Sequence, residues 1–260
     1  TPDQDSGSVR MQALLEILVG MGVHVTFVAD NLEYRQPYVR DLQQQGVEVW
    51  YAPHIQSVNQ LLEQRGTLFD TVMICRHYIA SPLIAAVRQH APQAKLWFDT
   101  VDLHYLREER LAALEQSSRL AEVAAATKQQ ELSVIAACDL TWVVSPVEQA
   151  LLAQTLPDAQ VAILSNIHEP LDHTAGYSER EGLLFVGGFQ HPPNVDAVTW
   201  FVQEVWPLVH AQAPEMKVRI VGSKMPDTLR SLAGPGIEIL GFVQDIDPLL
   251  ATSRISDRKS

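Results

Sequence analysis

Polar and charged side chains follow two apolar runs of the sequence. Asp99, Asp102 and His104 come after KLWF, and Arg76 and His77 come after TVMIC. Carboxylates and imidazoles serve as general acids and bases, and a parallel sheet presents groups to ligands at the carboxyl ends of its strands. The pattern therefore indicates a functional sheet edge. The alternative is structural: His104 would cap or brace the next helix, and Arg76 and His77 would be a surface charge and a packed ring.

A second stretch that could bind a ligand is GLLFVGGFQHPPNVDAVTWF, residues 182–201. An apolar run stops at Gly187 and Gly188, a turn with two prolines follows, and an apolar-periodic segment begins near Val195. This order predicts strand, tight turn and helix, an arrangement that points helix N–H groups at an anion. It indicates either a phosphate cradle or the joint at which a second α/β domain begins.

Predicted strands alternate with predicted helices along the chain. Strands are predicted over VHVTFVAD, VEVWYA, TVMIC, KLWFD, DLTWVVS, VAILSN, LLFVGG, KVRIVG and IEILGF. Ser81 and Pro82 are predicted to cap and open the helix SPLIAAVRQHA, and one long helix is predicted from about Val195 to Ala211. Such alternation is typical of α/β proteins with doubly wound parallel sheets.

The polar stretch at 167–182 interrupts this alternation and predicts a linker between two domains. We expect an N-terminal domain over residues 1–170, then linker and C-terminal domain over 171–260. The chain begins without a first strand, and it ends at ISDRKS after only three strands of its second half. These features predict truncation at both ends and an incomplete second domain.

The composition limits the classes of partner. Lys and Arg number 19 and Asp and Glu number 31, for a net charge of −12. This balance argues against nucleic acid, because phosphate backbones need a basic face. Cys75 and Cys138 lack metal-site spacing and predict buried free thiols in a reducing compartment. With no apolar run of membrane-spanning length and no signal peptide, a soluble cytoplasmic protein is expected.

Several motifs, taken in chain order, resemble one known family. They are DSGSVRMQALLEILVGMGVHVTFVAD, WFDTVDLHYLREER, CDLTWVVSPVEQALL, VAILSNIHE, LLFVGGFQHPPNVDAV and IEILGFVQDIDPLL, and together they span nearly the whole chain. The sequence resembles the retaining glycosyltransferases of the GT-B fold in family four, which build bacterial polysaccharides and glycolipids. This resemblance implies two Rossmann-like halves, a nucleotide-sugar co-substrate, a saccharide or lipid-linked acceptor, and no metal or other cofactor.

The resemblance also implies roles for individual residues. His104, with Asp102, would act at the reacting carbon of the sugar, and no nucleophilic carboxylate is expected. The acceptor-side residues that it implies are Ser6, Gly7, Ser8, Arg76, His77 and Asp99. The donor-side residues that it implies are Gly187, Gly188, Asn194, Lys224, Gly241 and Phe242. A structural role stays open for most of these: a helix cap for the serines, ordinary turns for the glycines and a solvated side chain for Lys224.

Two features depart from the family pattern. The loop GGFQHPPNVDAV lacks the Arg and Lys that clamp the diphosphate in many members, and the family's later pair of glutamates would fall beyond Ser260. Transfer by these residues alone is therefore not expected. Asp30 lies where a dinucleotide fold has its ribose-binding acid, but the opening loop has one glycine instead of G-x-G-x-x-G, so NAD is not expected.

We therefore expect an enzyme that moves a sugar from a nucleotide-sugar to a saccharide or lipid-linked acceptor in cell-surface polysaccharide synthesis. Peripheral contact with the inner face of the membrane stays open. One alternative is a nucleotide-sugar epimerase of the same architecture, with His104, Asp102 and Arg76 as acid–base residues. Another is a non-catalytic module that binds nucleotide-sugars or saccharides, which the missing cationic clamp favours.

Overall fold

The computed structural model describes residues 6–167, 176–190 and 192–258. The chain divides into two compact units, Met11–Ile167 and His168–Ser260, and the residues from Ser6 to Arg10 are grouped with the second. Half of the linker predicted over 167–182, residues 168–175, lies outside the described residues. Among those described, no helix combines the length and the apolar character needed to cross a bilayer.

The first unit alternates helices with parallel strands. Its elements are α1 (Ser6–Gly20), β1 (Thr26–Val28), α2 (Tyr38–Gln44), β2 (Glu48–Trp50), α3 (Val58–Arg65), a 3₁₀ turn (Gly66–Leu68), β3 (Thr71–Cys75), α4 (His77–His90), β4 (Lys95–Asp99), α5 (His104–Leu114), α6 (Ser118–Ala137), β5 (Leu140–Val143), α7 (Pro146–Thr155) and β6 (Val161–Ile163). The strands β1 and β2 pair with each other, and the other four form a sheet in the order β3-β4-β5-β6. All these pairings are parallel, which confirms the predicted fold class.

The core of the first unit lies between the four-stranded sheet and its helices. Leu96, Phe98 and Val143 on the strands are fully buried and belong to one cluster with Val87 of α4 and Leu152 of α7. Strands buried by helices read as continuous apolar runs, which is why the sequence pattern locates them well.

The second unit is a doubly wound sheet. Its elements are a 3₁₀ turn (Tyr177–Glu179), β7 (Glu181–Val186), α8 (Pro192–Trp200), a π-helical turn (Phe201–Val205), α9 (Trp206–Gln212), β8 (Val218–Val221), α10 (Asp227–Arg230), β9 (Ile237–Gly241), α11 (Asp247–Thr252) and β10 (Ser253–Arg258). The strand order is β10-β7-β8-β9, all parallel. The chain winds outward from β7 to β9 and returns to the other side of β7, so the reversal lies between β7 and β10. Ligand crevices form at such reversals, beside the carboxyl ends of the strands.

Two helices differ from the prediction because of prolines. α4 begins at His77 and holds Pro82 in its interior, so the predicted cap at Ser81 is wrong. Pro82 is the sixth helical residue, so the helix lacks the backbone bond to the Tyr78 carbonyl. The helix predicted from Val195 to Ala211 contains the π turn just before Pro207. In a regular helix the Pro207 ring would clash with a carbonyl one turn earlier, and the wider turn accommodates it.

The ends of the described chain also differ from the prediction. The last segment forms β10, which pairs with β7 from Ser253 to Arg258, so the expectation of only three strands in the second half is wrong. Ser6, Gly7 and Ser8, expected in a loop before the first helix, are instead the first residues of α1.

Candidate functional site

The ends of β3 and β4 form the edge that the sequence predicted as functional. Cys75 and Asp99 are partners in the register of these strands, and the Arg76 N–H donates to the Asp99 carbonyl at 2.9 Å. Arg76 and Val101 have φ values of 70° and 64°, a region that non-glycine residues rarely adopt and that is costly for a β-branched side chain. We call residues 76–78 and 99–104 the β3–β4 rim.

Two histidines from different helices meet in the β3–β4 rim. His77 is the first residue of α4 and His104 the first of α5, and both are buried. Their ring centroids lie 5.0 Å apart at an interplanar angle of 76°, and the Tyr78 ring lies 5.4 Å from His77 and 5.9 Å from His104. The His77 Nδ1 faces the Gln130 Oε1 at 3.2 Å. The half-exposed Tyr78 thus connects this buried pair to the surface.

The His104 imidazole has a defined orientation. Its Nδ1 lies 3.0 Å from the Asp102 carbonyl oxygen, 3.4 Å from the Asp102 Oδ1 and 3.6 Å from the Glu131 Oε1. A backbone carbonyl only accepts hydrogen bonds, so Nδ1 carries a proton and donates. The Arg107 Nη1 lies 2.7 Å from the Asp102 Oδ2 and holds that carboxylate in place. Nε2 is therefore the nitrogen that can accept a hydrogen bond or a proton from a ligand.

Two glutamates that the sequence analysis missed accept hydrogen bonds from backbone N–H groups at the beginning of α5. Glu131 of α6 is fully buried and accepts from the His104 N–H at 3.3 Å and the Tyr105 N–H at 3.2 Å. Glu148 of α7 accepts from the Leu103 N–H at 3.3 Å and the Val144 N–H at 3.0 Å. Helix N-termini attract anions, and here the protein supplies the anions itself. A sequence signal for Glu131 does exist, since it stands among Ala, Leu and Val on a helix that must bury one face.

Asp99 maintains the shape of the turn after β4. It is fully buried, its Oδ1 accepts from the Val101 N–H at 3.2 Å, and the Cys75 Sγ lies 3.7 Å from its Oδ2. Cys75 and Cys138 are both only partly buried. Burial raises the pKa of the Cys138 thiol to about 11.

Within the described residues, one group of side chains could hold a metal ion. The ligand atoms of His77, His104 and Glu131 lie within 4.8 Å of one another. Nitrogen and oxygen ligands about 2.0–2.2 Å from zinc would lie closer together than this, and both Glu131 oxygens already accept backbone N–H groups. The arrangement therefore suits hydrogen bonding better than metal binding.

In the second unit, two glycine turns touch at the carboxyl edge of the sheet. A Cβ atom on Gly222 would lie 1.7 Å from the Gly187 carbonyl oxygen. The buried Asn194 donates from Nδ2 to the Gly188 carbonyl at 2.9 Å and so braces the turn. The N–H groups of Gly187, Phe189 and Gly222 donate to neighbouring carbonyls. An anion at this edge would therefore rely on other donors.

Two cations lie near the same edge. Lys224 is exposed and has a φ of 56°. Arg230, which the sequence analysis missed, has its guanidinium nitrogens 3.9–4.0 Å from where a Cβ on Gly241 would be. Phe242 follows Gly241 and is 58% exposed, which leaves its ring available to a ligand. The cationic groups lacking from the loop after β7 are thus available from the segments next to β8 and β9.

Comparison with known proteins agrees with this geometry. Residues 180–256 match the family described as Glycosyl transferases group 1, whereas a search of the curated proteins found no match. The matched segment contains β7, β8 and β9 and most of β10, the four strands of the second unit's sheet.

Among solved structures, the Staphylococcus aureus MnaA–UDP structure matches with 13% identity and a TM-score of 0.52, over 98% of this chain and 72% of that one. S. aureus TarM, as a mutant in complex with fondaparinux, alpha-GlcNAc-glycerol and UDP, matches with 10% identity and a TM-score of 0.48, over 75% of this chain and 38% of its own. A further TarM structure matches with 8% identity and a TM-score of 0.49, over 78% and 40%. The likeness to MnaA shows a shared fold, and this chain spans about two fifths of the TarM chains.

Proposed function

We propose that this protein moves a sugar, with retention at the anomeric carbon, from a nucleotide-sugar to a saccharide or lipid-linked acceptor in cell-surface polysaccharide synthesis. Residues 1–170 would serve the acceptor and residues 171–260 the donor. The observation that carries the proposal is the Gly187–Gly188 turn. It lies at the reversal point of a doubly wound sheet, within the segment that matches the group 1 glycosyl transferases.

The donor would bind at the carboxyl edge of the second unit's sheet. Bare glycine backbone at Gly187 and Gly222 allows close approach of a ligand, Lys224 and Arg230 supply positive charge for a diphosphate, and Phe242 offers a ring to a base. Donors aimed at the leaving diphosphate would stabilise the charge that grows on it. Because the MnaA structure contains UDP, a uridine nucleotide is the first donor to test.

The β3–β4 rim would bind hydroxyl groups. Protein carboxylates already hold the N–H groups at the beginning of α5, so a phosphate would meet negative charge there, whereas a hydroxyl can donate to the His104 Nε2. Both Glu131 oxygens and the Asp99 Oδ1 accept backbone N–H groups, and the Asp99 Oδ2 faces the Cys75 Sγ, so neither carboxylate has the free placement of a glycosidase nucleophile. This supports retention by attack of the acceptor on the face that the diphosphate leaves, with no metal required.

Calorimetry with UDP-, GDP- and TDP-sugars tests the donor. We expect binding of one of them, unchanged by EDTA and weakened in Lys224→Ala and Arg230→Ala. Failure of all three to bind would refute the proposal. Nuclear magnetic resonance of the product with a saccharide acceptor would then show the anomeric configuration.

The epimerase alternative is favoured by one observation, the contact of His77 with His104 beside Asp102, which gathers acid–base groups in one place. Incubation of the bound nucleotide-sugar without acceptor separates the two functions. Appearance of an epimer without acceptor would identify the epimerase. A nucleotide-sugar that stays unchanged without acceptor, and is consumed when acceptor is added, would identify the transferase. Binding with neither reaction would identify a non-catalytic module.

A further inference from the structure

We infer that Glu131 is a positioning residue for His104, from whose backbone N–H it accepts a hydrogen bond and whose ring Nδ1 it faces. This inference rests on the proposed role of His104 at the reacting sugar. Glu131 lies 27 residues further along the chain, on α6. No motif of the sequence connects the two.

The hydrogen-bond donors that face Glu131 come from the adjacent residues His104 and Tyr105. Its Oε1 accepts from the His104 N–H and lies 3.6 Å from the His104 Nδ1, and its Oε2 accepts from the Tyr105 N–H. A fully buried carboxylate stays charged only if hydrogen-bond donors replace its water. Here the hydrogen-bond donors are the first N–H groups of α5, and the His104 Nδ1 lies 3.6 Å from Oε1, so the position of the carboxylate and the position of His104 depend on each other.

Glu131 adds to the acceptors that determine which nitrogen His104 presents. The acceptors Glu131 Oε1, Asp102 Oδ1 and the Asp102 carbonyl all face Nδ1, so the proton stays on Nδ1 and Nε2 remains available. The Asp102 carbonyl belongs to the turn that leads into α5. Because Glu131 holds the first N–H groups of that helix, it also keeps this carbonyl in reach. Removing the carboxylate is expected to release both the ring and the turn.

Glu148 provides a matched control. It too accepts two backbone N–H groups, one of them at Leu103, the residue before His104. In the described part of the chain, its carboxylate oxygens accept from these backbone N–H groups and not from the imidazole. Glu131→Gln and Glu148→Gln therefore remove equivalent capping carboxylates, and only the first removes a contact with the ring.

The first measurement needs no substrate. Long-range ¹H–¹⁵N spectra of the imidazoles, assigned with His104→Gln, report which nitrogen carries the proton. We expect the Nδ1–H form of His104 in the wild type and in Glu148→Gln, and a mixture of both tautomers in Glu131→Gln. Glu131→Asp, which keeps the charge, should restore part of the Nδ1–H form and serves as the test if Glu131→Gln does not fold.

The second measurement is kinetic. We expect kcat to fall about 10-fold to 100-fold in Glu131→Gln, at most the lower end of a general acid–base contribution because His104 itself is retained, with the donor KM changed less than about threefold. A purely structural cap would give both glutamine variants equal losses of thermal stability, equal kcat and unchanged tautomers, and that result would overturn the inference. So would a zinc-induced rise in melting temperature that is present in the wild type and absent in Glu131→Gln. If no nucleotide-sugar binds, the proposed function fails, while the tautomer measurement still decides the role of Glu131.

Discussion

The contact between Gly222 and Gly187 leads to a graded prediction for Gly→Ala substitutions. In Gly222→Ala the new Cβ would lie 1.7 Å from the Gly187 carbonyl oxygen, 2.9 Å from its carbonyl carbon and 2.8 Å from the Phe189 ring. Ordinary contact begins near 3.4 Å, so the turns must separate by about 1.5 Å or more. The backbone bonds of Gly187 to Val221 and of Gly222 to Gly241 lie in the path of that movement.

The magnitude follows from the atoms that must move. Overpacking costs about 1–3 kcal/mol and each lost hydrogen bond about 1 kcal/mol, so we expect Gly222→Ala to lower the free energy of unfolding by about 2–4 kcal/mol. In Gly187→Ala the Cβ meets side-chain atoms, the Asn194 Nδ2 at 2.9 Å and the Phe185 Cε1 at 3.0 Å, which can shift. We expect about 1–2 kcal/mol there. Gly20→Ala, with no described atom within 4 Å, should cost nothing and can gain up to about 1 kcal/mol.

Urea unfolding followed by tryptophan fluorescence gives the free energy of unfolding for each variant. Calorimetry at a temperature where all variants are folded gives the affinity for the nucleotide-sugar. We expect the order Gly222→Ala, Gly187→Ala, Gly20→Ala in loss of stability, and weaker donor binding in the first two because the turn after β7 moves. If Gly222→Ala matched Gly20→Ala in both measurements, the close approach of the turns would be wrong, and with it the argument for a donor site there.

Two further predictions concern ionisable groups. Tyr105→Phe removes a buried hydroxyl that has no hydrogen-bond partner in the described part of the chain, so denaturant unfolding at pH 8 should show unchanged or slightly higher stability, by about 1 kcal/mol. Burial, and then the charge of Glu109, raises the pKa of Tyr105 from 10.0 to about 12. The wild type should therefore lose stability between pH 10 and about 12. An equal loss in Tyr105→Phe would contradict this. For Asp139, the Leu96 N–H at 2.7 Å and then Arg88 lower the pKa. The Asp139 carboxylate therefore contributes to the free energy of unfolding above pH 4, and this contribution is lost as the pH falls below that value. Asp139→Asn should cost about 1–3 kcal/mol at pH 7 and little at pH 2, and equal costs at the two pH values would show that the charge is irrelevant.

Much of the fold could be predicted from local patterns. The runs TVMIC and KLWFD coincide with β3 and β4. Ser117 caps α6, since its hydroxyl accepts from the Leu120 N–H at 3.3 Å. Apolar periodicity, strand length and caps depend on neighbours within a few residues, so the sequence carries them directly.

The failures occurred where distant contacts override such local signals. Ser81 and Pro82 look like a helix beginning, but buried His77 and Ala80 stabilise one more turn before them. The end of the second half reads as a stop, but pairing with β7 makes Ser253–Arg258 a strand. Pairing energy comes from the partner strand, which lies far away along the chain.

For the candidate site, the sequence by itself determined that Asp99, Asp102, His104, Arg76 and His77 follow neighbouring parallel strands, because strand order and polarity follow from the α/β alternation. Only the tertiary structure decided what they do there. The packing of α6 against α5 brings Glu131 to the His104 ring and backbone, and the approach of two turns 35 residues apart makes Gly222 and Gly187 depend on each other. Such contacts arise because the elements pack through their buried faces, and neither residue's local sequence specifies its partner.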